Sequence, residues 1–277
     1  MAEDIKAVNA HYDRKNLGAI LLRSIEEAGK DLNALRMEDL APLEEFHIGG
    51  RKATFKLAEL AGLSAGMKVL DIGCGIGGPA RALAGYHGCV VTGIDLSEEY
   101  CSAGNLLTER VGLAGQVVLL PGSGPDLQFE AGSFDAVWMQ HVSMNIRDKS
   151  TLFKEVARVL RSEGKLAFHE IFAAKRPVAH FPVPWAGDPG INFMVPPEEM
   201  QSLLESTGFG ISLWEDVTEA STHFFSRMLK TTAERGLPPL NLTALIGPDF
   251  LLMAGNMLKN LKENRMRVFQ GVATLRS

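Results

Sequence analysis

From Lys68 onward the chain alternates short, nearly continuous apolar runs with stretches whose apolar positions recur every three or four residues. The apolar runs fall at residues 68–73, 90–96, 117–122, 134–140, 165–172, 211–217 and 266–275, and predict strands. The intervening periodicity predicts helices at 78–86, 98–111, 149–160 and 198–207, and another at 51–62 behind the Gly49–Gly50 turn. Runs that are apolar on both sides belong to a parallel sheet covered on both faces. With right-handed crossovers, the alternation gives an α/β fold with a doubly wound, Rossmann-like sheet.

Three segments depart from that rhythm. Residues 3–40 read as helical, with Ile20, Leu21, Ile25 and Ala28 on one face, and Asp39 to Pro42 is expected to break the run. Residues 173–197 carry six prolines between Pro177 and Pro197 and read as an ordered loop laid over something. Residues 219–265 look mostly helical, interrupted at 236–242, and their Met- and Phe-rich runs (224–229 and 250–258) are expected to pack as that segment's own core. The whole is expected to be a single domain, 1–277. Its core takes about 51–172 and 198–277, and a helical cap from 1–50, 173–197 and 219–265 closes over the carboxyl ends of the strands, where such sheets bind ligands.

Composition narrows the function. The 277 residues are 46% hydrophobic and 22% charged, with a net charge of -5, which argues against a general nucleic-acid binder. The local group Lys259, Lys262, Arg265 and Arg267 reads as a solvated helix face. No secretory signal is visible at residues 1–16, and no run of about 18 apolar residues suggests a membrane span. Three cysteines (Cys74, Cys89, Cys101) suit a reducing, cytoplasmic setting. The scattered histidines lack metal-ligand spacing, so no metal is expected.

The chemistry starts at "VLDIGCGIGG", residues 69–78, whose Gly73, Gly75 and Gly78 match the spacing of a dinucleotide-binding loop. Asp71 decides what the loop holds. A carboxylate two positions before the first glycine repels a diphosphate and favours a ligand carrying a cation. Asp95 closes the next strand, 22 residues after Gly73, where an acid accepts from ribose hydroxyls of either kind of cofactor. An acid ending an apolar parallel strand is costly to bury unpaired, so both carboxylates read as functional.

"VLDIGCGIGG" followed by "GIDLS" resembles class I S-adenosylmethionine-dependent methyltransferases over about residues 50–175. More distantly, "EEFHIGG", "QHVSMNI" and "FPVPWAGDP" are similar to small-molecule methyltransferases of the sarcosine/dimethylglycine and ubiquinone/menaquinone-biosynthesis type. The resemblance implies a seven-stranded, mostly parallel sheet, S-adenosyl-L-methionine as cofactor and S-adenosyl-L-homocysteine as product. It places Gly73, Gly75 and Gly77 against the cofactor, Asp71 near its amino group, Asp95 on its ribose and Leu96 in the adenine pocket. Ser123 stands where many relatives carry an Asp facing the adenine amine. Gln140 and His141 are implied beside the methionine arm and the transferable methyl, His47 and Tyr12 in an arm that reaches the cofactor, and His141 with Tyr12 as a substrate-orienting, proton-accepting pair.

His169, Glu170, His180 and Trp185 remain open between site and structural duties, as does Trp138, while Cys74 reads as a small filler. The implied activity is in-line methyl transfer to an N, O or C nucleophile of a small molecule. A non-catalytic cofactor-binding regulator and an NAD-dependent oxidoreductase are the alternatives. The expected partners are a small-molecule substrate and at most a second copy in a homodimer, with no nucleic acid and no membrane.

Overall fold

The computed structural model describes residues 2–12, 14–174 and 178–277. Lys175 to Pro177, in the proline-rich stretch, therefore lie outside the described residues. Seven strands form one sheet: β1 (Lys68–Ile72), β2 (Val90–Asp95), β3 (Val117–Pro121), β4 (Phe134–Gln140), β5 (Leu160–Ala173), β6 (Phe209–Asp216) and β7 (Met266–Leu275). Their order is β3-β2-β1-β4-β5-β7-β6. The pairs among β1 to β5 are parallel, whereas β7 runs antiparallel between β5 and β6. The order reverses between β1 and β4, which opens a crevice at the carboxyl ends of those strands.

Helices α4 (Arg51–Ala61), α5 (Gly78–His87) and α6 (Glu98–Arg110) cover one face, around Trp138, Leu57, Leu83 and Leu119. Helices α7 (Lys149–Val159) and α8 (Pro197–Ser206) cover the other, around Phe153, Val156, Leu204 and Phe269. Helices α4, α6, α7 and α8 each bury one stripe, the arrangement a period near 3.6 requires, whereas α5 is buried on every side from Gly78 to Ala84. Trp138 is fully buried and hence belongs to the core.

The N-terminal run and the basic group near the C-terminus depart from the sequence reading, while the 219–265 segment follows it. The N-terminal run divides into α1 (Ala2–Tyr12), α2 (Leu17–Glu27) and α3 (Met37–Glu44), and Pro42 sits inside α3 instead of ending a helix. Asp39 starts that helix, because its carboxylate accepts the Arg36 amide at 3.0 Å and pairs with Lys30 at 2.6 Å. The 219–265 segment is α9 (Thr218–Arg235), the single turn α10 (Thr243–Ile246) and α11 (Phe250–Lys262). Arg265 and Arg267 leave the helix carrying Lys259 and Lys262: Arg265 bonds Glu263 beyond α11, and Arg267 bonds Asp216 from β7. The basic face expected there is thus divided between α11 and the sheet.

Cap and core meet in two apolar clusters. One joins α2, α3, α6, α10 and α11 around Leu17, Leu21, Leu40, Tyr100 and Phe250. The other joins the proline-rich loop to α9, α11 and β7 around Trp185, Phe225, Met257 and Val268. Arg14 ties the N-terminal segment to α10 through the carbonyls of Leu245 and Ile246.

Candidate active site

The carboxyl ends of β1, β2 and β4, together with the cap, enclose a cavity of about 230 Å³. On the strand side lie Asp71, Gly73, Gly75, Asp95, Leu96, Ser123 and Gln140. Asp71 is 2% exposed and its Oδ2 has no hydrogen-bond partner. Burial, with the Asp95 charge close by, pushes its carboxyl well above the usual carboxylate range. Such a group favours a cation as neighbour. Asp95 is held differently: its Oδ2 accepts from the Gly75 amide and its Oδ1 from the Ser97 amide, at 3.0 and 2.9 Å. Burial raises it, and these amides partly offset that. Each oxygen keeps a lone pair, so the carboxylate stays able to accept from a vicinal diol.

Gly73 gives the loop its close approach, since a Cβ there would lie 2.5 Å from Val142 Cγ2. Gly77 does not line the cavity, in contrast to the ligand contact expected of it. It starts α5 at φ 82°, and a Cβ would meet Leu119 at 2.7 Å, so its duty is helix-to-sheet packing.

Gln140 is fixed by its acceptor end. Trp138 Nε1 and Thr54 Oγ1 both donate to Gln140 Oε1, at 2.9 and 3.3 Å, which leaves the buried Nε2 without a partner. His47 Nε2 lies 3.0 Å from the Gly50 carbonyl and 3.0 Å from Thr54 Oγ1; a carbonyl only accepts, so Nε2 carries the proton. Burial lowers His47 to about 4, and it is neutral near pH 7. Thr54, which sequence reasoning missed, joins the two.

His141 corrects an expectation. Its Nε2 accepts the Ile48 amide at 3.0 Å, so the lone pair a base would use is taken and the proton sits on Nδ1. Burial and the neighbouring His169 and His47 push its pKa well below the ordinary histidine value. A proton-accepting role near neutral pH does not fit this geometry. The residue holds φ 57°, a left-handed conformation costing a non-glycine residue about 1–3 kcal/mol. Its amide donates to the His169 carbonyl at 2.9 Å, which fixes that turn at the rim.

Tyr12 lines the same cavity but is not paired with His141. Its hydroxyl donates to Asn145 Oδ1 at 3.0 Å, while Asn145 Nδ2 donates to the Trp185 and Ile191 carbonyls. Asn145 is a second residue the sequence did not single out. It fastens α1 to the proline-rich loop, and burial holds the Tyr12 phenol protonated.

The remaining candidates sort by placement. His169 is buried against His141, ring centroids 4.8 Å apart, with neither nitrogen partnered, and does not line the cavity. Glu170 accepts the Val142 and Ser143 amides and the Ser143 hydroxyl, so it anchors the turn after β4. His180 bonds Glu263 on the outside. Trp185 is buried, lines the cavity and donates to Asn192.

On the cap side the lining is apolar: Phe46, Phe224, Phe225, Met228, Phe250 and Met257. The Met- and Phe-rich runs thus wall the cavity as well as packing among themselves, which corrects the reading of them as a closed core. Two lining acids, Glu44 and Glu45, head the "EEFHIGG" stretch, from which the resemblance singled out only His47. Glu44 accepts from buried Arg81 at 2.6 Å and from Arg51 at 2.9 Å. Glu45 Oε1 accepts Arg51 Nε at 2.8 Å, and its Oε2 has no hydrogen-bond partner. Among the described residues, no cluster of His, Cys, Asp or Glu could hold a metal ion.

Comparison with known proteins points to methyltransferases. Residues 70–168 match the model of a methyltransferase domain family. The chain is 32% identical over 187 residues to the O-methyltransferase resE of Aspergillus sclerotiorum, covering 66% of this chain and 69% of that one. Seven further curated relatives, an N-methyltransferase and sterol 24-C-methyltransferases, are matched over 24–49% of their own length. In fold, the chain resembles Haemonchus contortus phosphoethanolamine N-methyltransferase 2, solved with phosphomonomethylethanolamine and S-adenosylhomocysteine. That likeness has TM-score 0.73 and 20% identity, over 98% of this chain and 61% of that one. It also resembles the [4+2]-cyclase SpnF, with TM-score 0.68 and 22% identity over 93% and 94% of the two chains.

Proposed function

The chain belongs to the class I S-adenosylmethionine-dependent methyltransferases, and from that premise we propose how its residues divide the work. One observation carries the proposal: a buried, unpartnered Asp71 carboxylate stands in the same cavity as an Asp95 carboxylate already seated on backbone amides. S-adenosylmethionine suits that pair. It brings an ammonium for Asp71, a ribose diol for Asp95 and no phosphate. Leu96 and Ser123 would border the adenine, and the free Gln140 Nε2 would donate to the methionine carboxylate, with Gly73, Gly75 and His47 shaping the same wall. When bound, the cofactor supplies an electrophilic methyl group on a sulfonium.

The cap would enclose the acceptor and exclude water, so that the nucleophile meets that methyl in line. Tyr12 would help to close the cap through Asn145, and His141 would shape the rim; neither would take a proton. The three cysteines are buried free thiols, in keeping with a cytoplasmic setting. No helix among the described residues is long and apolar enough to cross a membrane.

Isothermal titration tests the cofactor assignment. S-adenosylmethionine and S-adenosylhomocysteine should bind and NAD should not; binding of NAD alone would overturn the assignment. Methyl transfer to any of a panel of phenols, alcohols and amines would separate an enzyme from a non-catalytic binder.

A further inference from the structure

Resting on the methyltransferase reading above, we propose that the acceptor is an uncharged, largely apolar molecule bearing a hydroxyl, and that Glu45 takes the hydroxyl proton. The first half follows from charge. Arg147 is the sole lysine or arginine lining the cavity among the described residues, and it is engaged by Asp4 and lies 4.2 Å over the Phe193 ring. A phosphate or carboxylate on the acceptor would enter an aromatic and thioether wall without a counter-ion, a costly burial.

The second half follows from what each lining group already does. The His141 lone pair is occupied by the Ile48 amide, and His47 Nε2 donates to Gly50. Tyr12 donates to Asn145. Glu44 is held between Arg81 and Arg51, and Asp148 caps α7 by accepting from Thr151. Glu45 alone on the cap side combines one anchored oxygen with one that accepts nothing.

Glu44, Arg51, Arg81 and His47 surround Glu45. Burial and the Glu44 charge raise its carboxyl to about 7, against the lowering effect of Arg51 and Arg81. His47, neutral, has Nε2 at 3.5 Å from Oε2. A carboxylate titrating there is matched to accepting a proton near neutral pH.

A base inside the chamber points to oxygen as the nucleophile. An amine entering an apolar enclosure sheds its charge beforehand and attacks with its own lone pair, whereas a hydroxyl must lose its proton during the step. The acceptor O–H bond breaks toward Glu45 Oε2 while the O–CH₃ bond forms. The S–CH₃ bond breaks with its electron pair staying on sulfur. Carboxylate and sulfonium thus become carboxylic acid and thioether, and the charge is balanced.

The test uses the full chain saturated with S-adenosylhomocysteine, with 1-naphthol and 1-naphthyl phosphate as probes read by tryptophan fluorescence. Naphthol should bind at least about tenfold more tightly. Equal or tighter binding of the phosphate overturns the inference, as does a failure of naphthol to bind at millimolar concentration. In protein with ¹³C-labelled glutamate carboxyls, two signals should titrate near 7, those of Glu45 and Glu170, and Glu45→Gln should remove one of them; a variant that keeps both overturns the role of Glu45.

With S-adenosylmethionine and apolar phenols or alcohols, Glu45→Gln should lower turnover about 10²–10⁴-fold at unchanged S-adenosylhomocysteine affinity. Wild-type turnover should rise with pH through about 7, and Glu45→Asp should recover part of the rate. Turnover of Glu45→Gln within threefold of wild type overturns the inference, as does a preference for 1-naphthylamine. Absence of any hydroxyl methylation by a protein that binds S-adenosylhomocysteine overturns it alone. Failure to bind S-adenosylhomocysteine instead overturns the cofactor assignment.

Discussion

The strand-end wall of the cavity and its cap wall are built by opposite means. Most of the strand-end wall comes from one short stretch of chain, β1 to β2, where Asp71, Gly73, Gly75 and Asp95 stand within 25 residues and the loop hydrogen-bonds to itself, with Ser123 and Gln140 added from the ends of β3 and β4. The cap wall comes from residues as far apart as Tyr12, Phe46, Trp185 and Met257, held by apolar packing and a few long-range hydrogen bonds. The contrast suggests a division of labour. Local hydrogen bonds give a fixed geometry for a cofactor of fixed shape, while packed side chains give a surface whose shape changes with each substitution.

The buried ion pair between the walls is where the contrast is most easily broken. Arg81, on α5, is fully buried and reaches Glu44, the last residue of α3; its other donors go to the Ile76 and Gly104 carbonyls and Thr108. Arg81→Met should destabilise the protein by about 3–5 kcal/mol, because it leaves Glu44 buried with one counter-ion fewer. Guanidinium unfolding checks this, and a loss under 1 kcal/mol would mean the two walls are held together by packing alone.

A smaller effect is expected on the strand-end wall. Asp95→Ala should weaken S-adenosylhomocysteine binding about 30- to 150-fold, the equivalent of about 2–3 kcal/mol for charge-assisted hydrogen bonds. Calorimetry on a folded variant decides it, and an unchanged dissociation constant would remove Asp95 from the cofactor wall. The smallest effect belongs to the rim. His141→Asn tolerates the left-handed backbone and should lower turnover less than about tenfold without altering the pH profile, against the 10²–10⁴-fold loss of a general base. A hundredfold loss with a shifted profile would restore His141 as the base.

The same contrast explains what the sequence could tell. The strands and the Asp71–Asp95 pair are legible because β-runs and a glycine loop are local patterns. Gln140 and Ser123 are legible because they end or follow strands. The cap is legible as an enclosure but its lining residues are not, since periodicity shows that Phe225 and Met257 are buried without showing what they face. Asn145 and Glu45 were hidden for another reason. Asn145 matters through a residue 133 positions away, and Glu45 through an oxygen whose burial and lack of a partner come only with the fold. His141 was legible as a site residue and misread in its role, because its chemistry depends on which nitrogen the Ile48 amide meets.

The three-segment cap has a consequence for how such a chamber can diversify. A recombination event that spares the core strands transplants one contiguous stretch of chain, so it can exchange α1 to α3, the proline-rich loop or α9 to α11, but not all three at once. Every such chimera would keep two old walls against one new one. Lineages of this architecture would therefore change acceptor in small steps, one wall adapting to its neighbours before the next is replaced, while the strand-end loop travels unchanged through all of them.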